Sequence, residues 1–362
     1  MGLSTDGKVN GNRASRMAPA SGPGSRRPLR SYTLFVVAVF YYFFARSIAR
    51  HSANGFVGPL WSPLLEQTML VFLLLVGYSA LGIMFQRQSH PIAEQGLPRR
   101  QGWVGEFGLG LATGWGMVVV CVLPLALVGG IAIVFNGRGA EWGWFLVDAA
   151  FFLLATLAEE IAFRGYAFQR FMDAVGPLGA TLAFALYYGI VQMLIPGSNR
   201  ISFAVSVLLG MLLCTAYTRT RALWVSWGIN FGWKVSRALL FGLVVAGVGS
   251  HSSIVEGDPM GPFWLTGGGF GLDGTWLAFF VILAAFPVLL RATRDLDFRH
   301  NAPLIVPAGI PVDLDAAARA QHESAMGATP APAPLVQIVV PPSPAPVAPE
   351  APKDPAEPPQ AG

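Results

Sequence analysis

The sequence predicts an all-α, polytopic membrane protein with about eight transmembrane helices. Three observations carry that prediction. The 362 residues are 53% hydrophobic and only 12% charged, about half the ~25% charged content of a soluble domain. Apolar segments recur at roughly 32–49, 66–85, 104–128, 144–163, 177–195, 201–218, 222–246 and 275–291, and most meet the ~20 residues needed to span hydrocarbon. Arginines collect in alternate connections, the pattern that orients membrane proteins. The net charge of +4 is explained by that pattern and does not call for a nucleic-acid partner.

Residues 1–30 are polar and carry Arg13, Arg16, Arg26, Arg27 and Arg30. No apolar stretch follows early enough for a cleaved signal peptide, and Asp6 breaks the myristoylation pattern after Met1-Gly2. The segment reads as a disordered, basic cytoplasmic tail. Arg46 and Arg50 cut the first span short, as arginines that snorkel from a helix end would. With the N-terminus inside, the cytoplasmic connections hold Arg87, Arg99, Arg100, Arg164, Arg170, Arg219 and Arg221. The exterior loop 247–274 has no Lys or Arg, only Glu256, Asp258 and Asp273. Eight spans with both termini cytoplasmic satisfy this distribution; Arg138 and Arg200 are mild exceptions. Gly267-Gly268-Gly269 in that loop reads as a turn. Residues 164–176 are amphipathic and are expected to run along the cytoplasmic interface until Gly176-Pro177 ends them.

A helical membrane domain is thus expected over 31–295, with its core at about 145–245. From 296 to the end, Pro and Ala dominate, as in Pro341-Pro342-Ser343-Pro344. Such a tail cannot bury enough apolar surface to fold and is expected to be disordered. Cys121 and Cys214 lie in apolar runs, so neither a disulfide framework nor a Cys metal site is expected.

The chemistry-bearing stretch is Glu159-Glu160-Ile161-Ala162-Phe163-Arg164-Gly165, which closes the fourth apolar run. A charged side chain at the centre of a membrane helix costs ~3 kcal/mol on insertion scales. Such groups must face a polar interior, or the helix end must emerge among headgroups. Glu160 and Arg164 are one helical turn apart and can pair. Glu159 is rotated by about 100° and stays available for chemistry. Further along, Tyr188 and Gln192 share a face in the fifth span, and Asn230, Lys234 and Arg237 form a polar stripe in the seventh. Glu159 and Glu160 are the obvious counter-charges, so spans four and seven are expected to meet with span five alongside. Snorkelling of Lys234 and Arg237 to the exterior, and a purely packing role for Gln192, remain open.

These residues resemble the CPBP intramembrane proteases, the CAAX-processing and bacteriocin-processing (Abi) family. Glu159-Glu160, three residues, then Arg164-Gly165-Tyr166 is similar to the family's first motif. Tyr188-Gly189-Ile190-Val191-Gln192 stands where the family has Phe-Gly-x-x-His. Leu223-Trp224 and Gly228-Ile229-Asn230-Phe231-Gly232-Trp233-Lys234 stand where it has Leu-Trp and a Gly-x-His-x-x-x-Asn run. The resemblance covers roughly 145–245. It implies that Glu159 activates a water and that Glu160 with Arg164 braces it. Gln192, Asn230 and Lys234 occupy the positions that hold metal or water and bind the oxyanion.

The family histidines are replaced here, which bears on mechanism. Zinc favours imidazole, thiolate or carboxylate ligands, and His51, His90, His251, His300 and His322 fall in expected loops or tails. No cofactor is therefore expected, zinc included. The resemblance implies an intramembrane endopeptidase of a bacterial plasma membrane that acts on a membrane-embedded or lipidated peptide, with lipid as its other partner. A pseudoprotease that binds such a peptide as an immunity or assembly factor is the alternative. A transporter relaying protons through Glu and Lys is a third.

Overall fold

A computed structural model describes residues 27–301, apart from 138, 140 and 250. Of the two expected tails, 1–30 and 296–362, residues 1–26 and 302–362 fall outside the described residues, as do Arg138 and His322, while residues 27–30, expected to be disordered, begin the first helix. The described chain is mostly helical. Among the described residues, four helices are long and apolar enough to cross a membrane: α1 (Arg27–Phe56, apolar from Leu29), α2 (Ser62–Gln86), α4 (Trp103–Leu127) and α7 (Arg200–Thr220). Between them lie α3 (Pro91–Glu94), α5 (Glu141–Arg164) and α6 (Tyr166–Met193). After α7 come α8 (Trp224–Val235), α9 (Phe263–Thr266), the shorter apolar helix α10 (Trp276–Ala292) and α11 (Arg294–Asn301).

Local chemistry explains the ends. Pro63 sits in the first turn of α2, where its missing N–H is not needed. Asn199 and Ser202 form a reciprocal capping box at the start of α7. Thr275 accepts from the Ala278 N–H to begin α10. Gly165 separates α5 from α6 with non-helical torsions. Within α6, Gly176 at φ 85° kinks the helix before Pro177, so residues 166–175 form a distinct first limb. That is where the sequence expects the amphipathic segment to stop.

Three boundaries differ from expectation. α1 continues past Arg46 and Arg50 to Phe56, and so takes in His51, which was expected in a loop. α11 carries helix into the expected C-terminal tail as far as Asn301, taking in His300. The seventh segment stops being α-helical at Val235, widens into a π turn over Ser236–Leu240, and leaves the helix at Gly242 with φ 64°. A side chain on Gly242 would collide with the Val255 carbonyl. Leu243 and Val245 are nonetheless buried, which explains why the stretch reads as apolar. The described chain is also not purely helical. β1 (Ile131–Phe135) pairs antiparallel with β2 (Val255–Pro259), Ile133 opposite Gly257. The β-branched run Ile131-Ala132-Ile133-Val134 is the signal for that ribbon.

The closest approach positions the site. Gly110 and Gly114 of α4 face Gly228 and Gly232 of α8. A Cβ on Gly110 would strike the Val225 carbonyl oxygen, one on Gly114 the Ile229 carbonyl, and one on Gly228 the Phe107 carbonyl. Small residues four apart on both helices let the backbones touch. α8 is thereby held along α4, with its opposite side turned to α5. On α1, Ala38, Ala45, Ala49 and Ala53 are fully buried and provide a similar small-residue stripe. The site lies wholly within the described residues of the first unit, which ends at Ala302.

Candidate active site

α5 and α8 meet through successive turns of polar side chains. Trp227 Nε1 donates to Thr156 Oγ1 and to the Leu153 carbonyl, each at 3.2 Å. One turn along, Asn230 Nδ2 donates to Glu159 Oε2 at 3.1 Å and to Glu160 Oε1 at 3.0 Å. Lys234 Nζ then reaches Glu159 Oε1 at 2.5 Å. The expected meeting of helices four and seven is thus found, with Asn230 as the bridge between the two carboxylates.

The adjacent acids have different settings. Glu160 is fully buried and pairs with Arg164 at 3.0 Å, itself 1% exposed. The Arg164 guanidinium lies 5.4 Å from the Tyr188 ring centroid and 5.7 Å from that of Phe163. Two aromatic faces and one carboxylate hold a charge that hydrocarbon would reject. Glu159 is 31% exposed and borders a cavity of about 870 Å³ whose wall also includes Tyr188, Gln192 and Lys234. Only Glu159 of the pair is open to a substrate.

Gln192 lines this cavity but does not join the acidic cluster. Its Nε2 donates to Tyr188 Oη at 3.3 Å. Arg237 is not paired with either glutamate, contrary to the expected counter-charge. It bonds Asp273 at 2.6 Å and lies 4.7 Å over the Trp233 ring, while Trp233 Nε1 donates to the same carboxylate at 3.0 Å. Asp273 was expected in an exterior loop, yet it lines the cavity. Its glycine-rich surroundings were the available signal, since short turns at Gly268–Phe270 and Leu272–Gly274 fold the loop inward. Arg46 and Arg50 also line the cavity, and Arg46 donates to Tyr42 Oη at 3.0 Å. They follow the buried Ala45 and Ala49 directly, so they sit beside the packing stripe of α1 and border the cavity. The arginines that seemed to shorten the first span thus contribute to the polar interior.

Asp148 is a further buried acid on α5, 2% exposed. It accepts from the backbone N–H groups of His251 and Ser252 and faces His251 Nδ1 at 2.9 Å. It anchors the loop above α5. Among the described residues no three or more of His, Cys, Asp and Glu group together so as to hold a metal ion. Around Glu159 the donors are an ammonium and a carboxamide, which is a set unsuited to zinc.

Residues 141–236 match the family model described as Rce1-like, type II CAAX prenyl endopeptidase Rce1-like. Over this segment the chain is similar to the CAAX protease family. The match begins with the first residue of α5 and ends one residue past α8. It therefore contains every member of the Glu159–Lys234 cluster, while Arg46, Arg50 and Asp273 lie outside it. No curated protein and no solved structure matches the chain. The similarity to a membrane protease family over this segment, together with the long apolar helices, indicates an integral membrane protein.

Proposed function

We propose that the chain is a metal-independent intramembrane endopeptidase of the CAAX-protease type, acting on a membrane-embedded or lipidated peptide. The observation that carries this reading is the asymmetry of the acidic pair: Glu160 is closed off with Arg164, whereas Glu159 borders the cavity. In this mechanism Glu159 takes a proton from a water, whose oxygen attacks the scissile carbonyl. The Lys234 ammonium moves from Glu159 to the developing oxyanion, with Asn230 keeping the carboxylate oriented. The proton held by Glu159 passes to the leaving amine as the C–N bond breaks. Glu160 and Arg164 position Asn230 through the shared Glu160 oxygen.

The eight-span arrangement belongs to the same proposal. The spans would be α1, α2, α4, α5, α6, α7, α8 with its π turn, and α10, and both termini would be cytoplasmic. The Lys- and Arg-free stretch 251–274 supports that orientation. The richness in Ala, Gly and Pro fits a GC-rich bacterial genome, and the proposal places the protein in that cell's inner membrane.

One observation favours the second reading, a pseudoprotease that binds its peptide without cutting it. Both oxygens of Glu159 are engaged, one by Lys234 and one by Asn230, so the pair tends to fill its own site. Purified protein offered prenylated and unprenylated peptides separates the two. Turnover that falls by roughly 10²–10⁴ in Glu159→Gln supports hydrolysis. Binding without turnover in both proteins supports the pseudoprotease. Gln192→His combined with Asn230→His is expected to raise turnover, and no gain would count against the placement of those residues in the family pattern.

A further inference from the structure

A second recess, of about 820 Å³, opens at the end of the bundle where α1 begins, α2 ends and the first limb of α6 runs. Its wall includes Arg30, Arg87 and Arg170 together with Glu94, Asp173 and Leu34. It shares no lining residue with the Glu159 cavity and lies outside the α5–α8 cluster. Three guanidinium groups from three separate elements thus face two carboxylates.

The partners already engaged show what is left for a ligand. Arg30 donates to the Phe85 carbonyl at the open end of α2. Arg170 pairs with Asp173 at 3.0 Å and lies 5.4 Å from the Tyr166 ring centroid. Arg87 has no ion-pair partner among the described residues. Its backbone is held in the left-handed region, φ 55° and ψ 39°, with its N–H directed to the Gly82 and Ile83 carbonyls. A non-glycine residue there is strained, so the cap keeps an arginine where glycine would be the easier choice. Beside the recess, Leu29, Met84 and Phe85 are exposed apolar side chains. Charge at helix ends next to bare apolar surface is the layout of a membrane interface, where basic recesses between helices take anionic headgroups.

We propose that this recess binds a phosphate group, carried by an anionic lipid headgroup or free in solution, with Arg87 as the principal contact and Arg30 and Arg170 flanking it. Guanidinium forks suit phosphate oxygens, and Leu34 with Phe85 would lie along the first carbons of an acyl chain. The site depends only on the protein being embedded in a membrane and not on the peptidase reading.

The test uses the full-length protein in detergent, with thermal stabilisation and native mass spectrometry as readouts. The probes are dioleoylphosphatidylglycerol, dioleoylphosphatidylcholine and inorganic phosphate. Arg87→Gly removes the guanidinium while relieving the left-handed strain, so loss of folding does not obscure the result. Arg170→Gln is the second variant, and Arg99→Gln controls for surface charge elsewhere. Phosphatidylglycerol is expected to bind more tightly than phosphatidylcholine. Its affinity should fall about fivefold in Arg87→Gly, as loss of one interfacial charge implies, and stay unchanged in Arg99→Gln. Protection by inorganic phosphate alone, with the same dependence on Arg87, supports the site with free phosphate as its ligand. Equal binding of both lipids, or an Arg99→Gln loss as large as that of Arg87→Gly, overturns the proposal.

Discussion

Glu159 and Glu160 are neighbours in the chain, yet they occupy two different solvents. Glu160 is sealed with Arg164 between Phe163 and Tyr188. Glu159 is held by Lys234 at the edge of a cavity. A rotation of about 100° along one helix separates a structural ion pair from a chemically available one. The same carboxylate chemistry therefore supports the fold in one position and faces a substrate in the next. The comparison also shows why the polar cluster does not simply destabilise the membrane domain. The charge that is fully buried has a buried partner, and the charge paired with Lys234 has access to a polar cavity.

That contrast predicts a hierarchy of damage. Arg164→Ala should be the most destabilising change, by about 3–5 kcal/mol, because it strands the buried Glu160 charge. Unfolding of the detergent-solubilised protein by heat or by SDS titration measures this. A loss below that of the Lys234 variant would mean that Glu160 is not sealed. Gly228→Val should follow at about 1–3 kcal/mol or somewhat more, by forcing α8 off α4. It should weaken the Glu159 and Glu160 contacts together, since Asn230 bridges them. Lys234→Met should lose only roughly 1 kcal/mol, since Glu159 borders the cavity. A double-mutant cycle with Glu159→Gln isolates that pair, and a coupling as strong as that of Glu160–Arg164 would erase the distinction. Gln192→Ala should change stability by no more than about 0.5 kcal/mol, because its single bond is a long one to Tyr188.

The site was more legible than its surroundings. The spacing of Glu160 and Arg164, the separate orientation of Glu159, and the stripe of Asn230 and Lys234 all follow from helical periodicity, and these five side chains converge as expected. Arg237 belongs to the same stripe, but its partner, Asp273, comes from a loop whose path no periodicity dictates. Arg46 and Arg50 looked like the end of a span because the sequence does not show that a cavity lies beside α1. The β1–β2 ribbon joins residues more than a hundred positions apart. Strand β1 alone resembles the apolar edge of a helix, and β2, with two acids, a glycine and a proline in five residues, carries no strand signal of its own.

Helical, lipid-solvated architecture and the family pattern over α5 to α8 are local properties: hydrophobic run length, 3.6-residue periodicity and motif order depend on near neighbours along the chain. Which charges share a cavity is a long-range property. It depends on how closely Gly110 and Gly114 let α4 approach α8, on where Gly242 turns the chain out of its helix, and on the inward fold that brings Asp273 under Arg237. Packing between distant segments decides those matters, because an ion in a low-dielectric interior is stabilised by whatever lies within a few ångströms in space, however far away it is in sequence.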